Sequence, residues 1–217
     1  MSERTKDILE WIYCILIAIV LALLIKFFLG TPTVVKQKSM ESTLEPNDRL
    51  ILSRVIRTSK KLPNRGDIIT FEAPSVDMPD VNSDEYEFDP ALPKAIYKNE
   101  PTNIFSKFKK YVLEIGKTSY IKRVIALPGD YVELKNGKVY VNGEELQEDY
   151  LNDNNRDKTE PMGYLTSFTV PEGYVFCMGD NRRESKDCRS FGCIPQNKIE
   201  SRVKFRFWPF SKFGGVD

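Results

Sequence analysis

A lysine inside an apolar stretch is the residue of this chain best suited to chemistry. Lys122 lies between Tyr120 and Leu127, with Arg123 directly after it. Alternation along a strand puts Lys122 on the same face as Tyr120 and Val124, so one of the two adjacent cations must point inward or lie at a rim. Burial would lower the pKa of this lysine, and a neutral amine can take a proton from a hydroxyl. On the pattern alone, an edge-strand lysine that discourages aggregation fits equally well.

The chain contains no histidine among its 217 residues. This excludes Ser-His-Asp triads, Cys-His pairs and histidine-based metal sites. Any acid–base chemistry must therefore use Lys, Asp, Glu, Tyr or Cys, and a serine activated by a neutral lysine is the natural alternative. Ser39, between Lys38 and Met40, is the candidate nucleophile, although a lone serine is most often a turn or surface residue.

A third polar stretch, Gly179 to Gly192, follows a predicted strand and contains Ser185, Asp187 and Arg189. Alone it fits a solvated loop. Runs of this kind also support active sites, because they offer several side-chain hydrogen bonds over a short distance.

The four cysteines are a poor match to a metal site. Cys177, Cys188 and Cys193 cluster in the last third of the chain, but zinc normally takes four ligands at defined spacings. An oxidising membrane face would allow a disulfide between Cys188 and Cys193, although sequence alone does not establish it. We expect no metal and no cofactor.

The overall charge gives no sign of a nucleic-acid partner. Lysine and arginine total 32 and aspartate and glutamate total 31, so the charges nearly cancel. Apolar residues make up 41% and charged residues 29%, which is typical of a folded domain.

The segment 8–29 predicts a membrane-spanning helix. It is apolar except for Glu10 and Lys26 near its ends, and at about 1.5 Å per residue it can cross a hydrocarbon core of about 30 Å. A cleavable signal peptide has a shorter apolar core of about 7–15 residues, so an uncleaved anchor is favoured over it. Basic residues lie on both sides of the segment, and the positive-inside rule leaves its orientation open.

The remainder, 30–217, predicts a mainly β domain with antiparallel sheets or a partly closed barrel. Short strands lie between Gly, Pro and Asn turns, and Asn136-Gly137 is typical of a two-residue hairpin. The predicted strands are Arg49–Ile56, Ile68–Phe71, Ser119–Leu127, Tyr131–Leu134, Lys138–Val141, Tyr174–Met178 and Val203–Phe207.

An insertion is expected at about 74–117. Its first part, Pro74 to Pro101, is acidic, whereas Lys94 to Lys117 is basic and interleaved with aromatic residues. One interpretation is a surface loop with a short amphipathic helix at about Ile104 to Glu114. The other is a basic-aromatic surface that rests on anionic lipid.

Taken together, these stretches resemble the bacterial type I signal peptidases, which are membrane-anchored Ser-Lys dyad proteases. The resemblance covers nearly the whole chain and depends on motifs in a fixed order. They are the N-terminal anchor, Ser39-Met40 with Thr43-Leu44, Arg65-Gly66-Asp67-Ile68, Lys122-Arg123-Val124 with Pro128-Gly129-Asp130, and Gly179-Asp180-Asn181-Arg182 with Ser185, Asp187 and Arg189.

The resemblance implies that Ser39 is the nucleophile, that Lys122 is its general base and that Ser185 orients the lysine. It also implies an oxyanion hole built from the Ser39 backbone N–H. In some members a side chain two residues upstream helps, and here that residue is Gln37, where the family usually has Gly or Ser. Three further residues have supporting roles by resemblance: Asp187 and Arg189 as a structural ion pair, and Met40 as a wall that keeps the dyad dry.

The same resemblance implies that residues 1–7 are cytoplasmic, that 8–29 is the anchor and that 30–217 lies outside the cytoplasmic membrane. Its partners would be preproteins with signal peptides, the lipid bilayer and the secretion translocon, with no nucleic acid. Two alternatives remain. A membrane-anchored, non-catalytic β-domain would bind peptides or assist surface-protein assembly, but some relatives of that kind lack the lysine, which is present here as Lys122. A self-cleaving regulator would require a DNA-binding helix-turn-helix instead of a membrane helix.

Overall fold

The computed structural model describes residues 3–75, 93–98, 100–162 and 165–216, so most of the predicted acidic insertion lies outside the described residues. The first element is helix α1, Glu3–Phe28. Its most apolar window has a mean hydropathy of 2.8, and none of its residues is buried by the rest of the protein. By length and composition α1 can cross a membrane, and it begins earlier than the predicted segment because its first polar residues are also helical.

The β-domain consists of two antiparallel sheets within the described residues. The seven-stranded sheet has the order β1-β2-β11-β3-β4-β9-β10 and the four-stranded sheet has the order β7-β6-β5-β8. The strands are β1 Gly30–Val34, β2 Arg49–Ser53, β3 Ile68–Glu72, β4 Ser119–Ala126, β5 Tyr131–Lys135, β6 Lys138–Val141, β7 Glu144–Glu145, β8 Ser167–Thr169, β9 Tyr174–Met178, β10 Ile194–Pro195 and β11 Ile199–Trp208. The antiparallel prediction is confirmed, and the sheets do not close into a barrel.

Among the described residues, three short α-helices follow α1: α2 Val55–Ser59, α3 Ile104–Tyr111 and α4 Cys188–Phe191. The predicted strand Arg49–Ile56 is wrong at its end, since it stops at Ser53 and the chain turns into α2. Helix α2 lies against the last turns of α1, and this distant packing overrides the β-branched residues.

Two strands, β1 and β11, differ from what the local sequence pattern predicts. The stretch around Pro32 is not among the predicted strands, but it forms β1, which lies at the edge of its sheet. An edge strand tolerates proline because one side of it needs no ladder hydrogen bond. In contrast, β11 is longer than predicted, because its first part pairs with β3 and the part from Arg202 to Trp208 pairs with β2.

Two apolar clusters hold the strands and the loop around Ser39 and Lys122. The larger one packs the inner faces of β4, β5, β6 and β9, with Phe168 and Phe176 in contact at 4.8 Å between ring centroids. The smaller one contains Met40 and Leu44, both fully buried against β2 and β3. The loop that carries Ser39 is therefore fixed by apolar side chains next to it in sequence.

We predict different costs for two matched glycine substitutions in the hairpins. Gly137 and Gly143 both follow an asparagine and have φ of +76° and +84°, so Gly→Ala should cost each about 1 kcal/mol in backbone strain. A Cβ at Gly137 would also lie 2.2 Å from the Asp157 carbonyl oxygen, whereas a Cβ at Gly143 meets nothing within 4 Å. Gly137→Ala should therefore lower the free energy of unfolding clearly more than Gly143→Ala in urea titrations of the detergent-solubilised protein. Equal losses would contradict this.

Candidate active site

Ser39 lies in a tight turn between β1 and β2. Within the turn, Glu41 N–H donates to the Lys38 carbonyl at 3.0 Å and Leu44 N–H donates to the Met40 carbonyl at 2.8 Å. Because Met40 is fully buried, the neighbouring serine cannot rotate freely away from the domain. Ser39 itself is 7% exposed, so its hydroxyl is nearly dry but still reachable.

Lys122 is buried in the middle of β4, which pairs with β3 on one side and β9 on the other. Its Nζ lies 2.6 Å from Ser39 Oγ and donates to the Ile121 carbonyl at 3.0 Å. The interpretation of Lys122 as an edge-strand lysine is therefore wrong. The structure brings together two residues that lie 83 positions apart in the chain.

Burial controls the protonation of this lysine. Removal from water lowers the pKa of Lys122 from 10.5 to about 8, and the negative charge of Asp187 is the strongest influence in the opposite direction. At that pKa a substantial fraction of the amine is neutral near physiological pH, and a neutral amine accepts a proton from an adjacent hydroxyl.

Asp187 and Arg189 form a buried ion pair beside the lysine. Both Nε and a terminal nitrogen of Arg189 donate to the Asp187 carboxylate at 2.9 Å. The carboxylate also accepts the Gly179 N–H at 3.0 Å and the Arg189 N–H at 3.1 Å, the latter as the N-cap of α4. Burial alone would raise the pKa of Asp187, but the Arg189 charge and these hydrogen bonds lower it, so the pair remains ionised.

Ser185 is close to the nucleophile, on the far side of Gly179. A Cβ built on Gly179 would lie 2.1 Å from Ser185 Oγ and 2.3 Å from the Ser39 carbonyl oxygen. Only glycine leaves room for both serines here. Ser185 Oγ is buried and has no hydrogen-bond partner among the described residues, so in this arrangement the hydroxyl does not contact the lysine amine.

A buried polar network links the nucleophile loop to the sheet. Arg123 donates to the Asp180 carboxylate at 2.8 and 3.0 Å and to the Gly66 carbonyl at 3.0 Å. Thr43 Oγ1 donates to the same carboxylate at 2.5 Å. Sequence reasoning missed these roles. The sequence did contain a signal for them, because a second cation follows Lys122 directly. In the structure both cations are buried, on opposite faces of β4.

The backbone around Ser39 is held from one side and open on the other. Asn181 donates its N–H to the Ser39 carbonyl at 3.1 Å and its Nδ2 to the Lys38 carbonyl at 3.2 Å. The Ser39 N–H makes no hydrogen bond within the part of the chain that the structure describes. It is thus available to an incoming oxyanion, whereas the Gln37 side chain is exposed.

Next to the nucleophile loop is an open polar cleft of about 540 Å³. Glu41 and Asn181 contribute to it from the loop and its support, and Arg183 and Glu184 line it from the turn after β9. Asparagines 152, 154 and 155 complete the wall. The cleft suits a polar, extended ligand more than an apolar one.

The cysteines near the site are free thiols. Cys177, Cys188 and Cys193 are buried and unpaired, so the Cys188–Cys193 disulfide is absent. Burial raises the pKa of the Cys188 thiol, which keeps it protonated. The three behave as small apolar core residues.

Comparisons with known proteins find similar sequences over most of the chain. A family model described as "Signal peptidase, peptidase S26" matches residues 8–208. Signal peptidase IB of Staphylococcus aureus (strain COL) is 33% identical over 220 residues, which cover 96% of this chain and 93% of the relative. The probable signal peptidase I-1 of Synechocystis sp. (strain ATCC 27184 / PCC 6803 / Kazusa) is 36% identical over 206 residues, 94% of this chain and 85% of the relative. A crystal structure of a signal peptidase I from Enterococcus faecalis V583 is 28% identical, covers 66% of this chain and 98% of that chain, and has a TM-score of 0.39.

We predict that Lys122→Met stabilises the protein at pH 6.5 and that the gain shrinks with rising pH. The pKa of Lys122 is about 8 in the folded protein, below its ordinary value of 10.5. The unfolded chain therefore binds this proton more tightly than the folded chain does. The free energy of unfolding of the wild type should therefore rise between these two pH values, and below them the buried ammonium costs on the order of 3 kcal/mol. Thermal unfolding in detergent, followed by circular dichroism across this pH range, measures the difference.

The control is Lys38→Met, which replaces an exposed lysine in the turn that carries Ser39. It should give no pH-dependent gain in stability. Destabilisation by Lys122→Met that is equal at every pH would contradict the depressed pKa.

Proposed function

Because the chain belongs to the signal peptidase family, peptidase S26, it is a serine endopeptidase that removes signal peptides, and we propose that Ser39 and Lys122 are its catalytic dyad. The observation that carries this proposal is the 2.6 Å contact between Ser39 Oγ and Lys122 Nζ. It combines a nucleophile with a base whose pKa is already lowered to about 8. A non-catalytic β-domain is not favoured by this family membership.

In the first half of the reaction, neutral Lys122 takes the Ser39 hydroxyl proton as Oγ attacks the scissile carbonyl. The oxygen of that carbonyl becomes negative and accepts a hydrogen bond from the Ser39 N–H. When the C–N bond breaks, the Lys122 ammonium gives the proton to the leaving amine, and the signal peptide remains esterified to Ser39. In the second half, a water molecule loses a proton to Lys122 and attacks the ester carbonyl. As the bond between the acyl carbon and Oγ breaks, the Lys122 ammonium gives the proton to Ser39 Oγ, which frees the signal peptide as a carboxylic acid and restores the enzyme.

Four other residues support the dyad in this proposal without touching the reacting bond. The Asp187–Arg189 pair holds the turn that carries Ser185, and Met40 keeps water away from Nζ. Ser185, whose hydroxyl is buried close to Ser39, orients the lysine amine in this proposal. Gln37 adds at most an exposed side chain at the edge of the oxyanion hole.

Helix α1 is a single-pass anchor in this proposal, with residues 1–7 in the cytoplasm and 30–217 on the outer face. Ser39 follows α1 closely in the chain, so the site lies near the membrane surface. Exported preproteins, held by their own apolar segments after translocation, present their cleavage sites at the same surface. The substrate binds as an extended strand, and the secretion translocon supplies it.

Ser39→Ala and Lys122→Ala should each lower the cleavage rate of a preprotein in lipid vesicles by at least about 10³-fold, because nucleophile and base act as one unit. The control is Lys38→Ala, which changes an exposed neighbour and should retain the wild-type rate. Circular dichroism of all three variants should show a retained fold. Robust processing by either dyad variant would refute the assignment.

The cleavage rate should also depend on pH through the lysine. Only neutral Lys122 can act as base, so kcat/KM should rise about tenfold per pH unit up to a midpoint near pH 8 and then level off. Initial rates on a peptide substrate in detergent between pH 5 and 10 measure this. Undiminished activity at pH 5 is the outcome that would exclude a neutral-lysine mechanism.

A further inference from the structure

Helix α3 leaves large apolar side chains without cover. Ile104, Phe105 and Phe108 are 87%, 75% and 43% exposed, although the helix is well formed, with Asn103 capping it by accepting the Ser106 N–H at 2.7 Å. Leu113 and Ile115, just beyond the helix, are 39% and 53% exposed. A contiguous apolar surface of this kind marks an interaction site.

The apolar side chains and the charges occupy different faces of α3. At about 100° per residue, Ile104, Phe105 and Phe108 fall within an arc of about 100°. Lys107 and Lys109 are exposed and lie on either side of this arc. Lys110 lies on the opposite face and pairs with Glu72 of β3 at 2.6 Å. The helix is thus attached to the domain by its polar face and points its apolar face outward.

The segment that carries α3 is attached to the end of α1. Glu114 forms ion pairs with Lys26 of α1, at 3.0 Å, and with Arg54. Arg57 of α2 donates to the Tyr111 carbonyl at 3.4 Å, and its guanidinium lies 4.4 Å from the ring centroid of Phe27 in α1. The C-terminal end of α3 is therefore held beside the last turn of the apolar helix.

We propose that α3 is a second membrane contact, which lies in the interface of the leaflet where α1 ends and binds anionic lipid. Its apolar arc enters the boundary between headgroups and acyl chains, and Lys107 and Lys109 reach the headgroup phosphates. An apolar stripe flanked by lysines on both sides is the pattern of interfacial helices. This inference rests on the proposed role of α1 as the anchor.

Lipid fits this surface better than a protein groove does. An apolar protein groove would bury the arc of α3 but would leave the two flanking lysines without anionic partners. At an anionic bilayer each of the two lysines gains attraction to the surface. The bilayer also lies next to the surface by geometry, because the contacts of Glu114 and Arg57 keep α3 close to the end of α1.

The first test measures immersion of the helix directly. In a Cys14→Ser background, which removes the exposed cysteine, a nitroxide is attached to Phe105→Cys or to Lys135→Cys on the β5–β6 hairpin. The full chain is reconstituted in phosphatidylcholine vesicles with or without phosphatidylglycerol. The label at 105 should become accessible to oxygen and protected from a water-soluble nickel complex, and the label at 135 should show the reverse.

Two results would overturn the proposal. One is a label at 105 that is as accessible to nickel as the label at 135. The other is a label at 105 that is immobile and shielded from both oxygen and nickel, which would mean contact with protein, such as a second copy of this chain.

The second test addresses the charge. The double substitution Lys107→Gln and Lys109→Gln should abolish the dependence of oxygen accessibility at 105 on the phosphatidylglycerol content. The matched control is Lys135→Gln with Lys138→Gln, which removes one exposed and one half-buried lysine far from α3 in the chain and should leave that dependence intact. A retained dependence in the α3 double variant would exclude lipid charge as the ligand.

The third test separates this contact from catalysis. Phe105→Ser with Phe108→Ser should lower the cleavage rate of a preprotein embedded in vesicles severalfold, with no change for a short soluble peptide. Equal losses on both substrates would indicate damage to the domain and would count against the proposal. Failure of the wild type to cleave either substrate, with the label at 105 still in lipid, would reject the dyad but not the membrane contact.

Discussion

The contact between the buried amine of Lys122 and the hydroxyl of Ser39 is the constraint on which the structure around it depends. An amine in water would be charged and could not act as base, so the lysine must be dry. A dry lysine in turn opposes folding below its ordinary pKa. The two sheets and the turn of Ser39 therefore have to supply enough apolar burial to offset a group that the fold itself destabilises.

The charges near the lysine are arranged so that they do not undo this effect. Asp187 is the strongest of the groups that raise the pKa of Lys122, and its own charge is shared with Arg189 through two hydrogen bonds of 2.9 Å. Asp180 is paired in the same way with Arg123. Each carboxylate thus keeps its structural role, and the positive charge of its own arginine offsets its electrostatic effect on the pKa of Lys122. A buried ion pair of this type adds little net stability but fixes geometry.

Local signals predicted those parts of the molecule that local chemistry determines. Strands β4, β5, β6 and β9 were found because apolar runs end at Gly, Pro and Asn turns, and α3 because its apolar residues recur with helical period. The edge strand β1 and the helix α2 were missed, since their conformations depend on partners distant in sequence. The same limit applies to the site. The absence of histidine and the apolar surroundings favoured a reactive lysine, but the network of Arg123, Asp180 and Thr43 joins three segments that no spacing rule connects.

The turn of Ser39 and the proposed lipid contact of α3 both determine how the dyad is positioned relative to the membrane. In its proposed role as anchor, a single helix such as α1 limits how far the domain can move from the bilayer, but the helix can still tilt within the bilayer and carry the domain with it. A second contact removes that freedom, because α3 is tied to the end of α1 through Glu114 and to β3 through Lys110. Strand β3 pairs with β4, which carries Lys122. The height and tilt of the dyad above the membrane would then be set by rigid elements, and a substrate confined to the same surface would meet the dyad with much of the orientational entropy already removed.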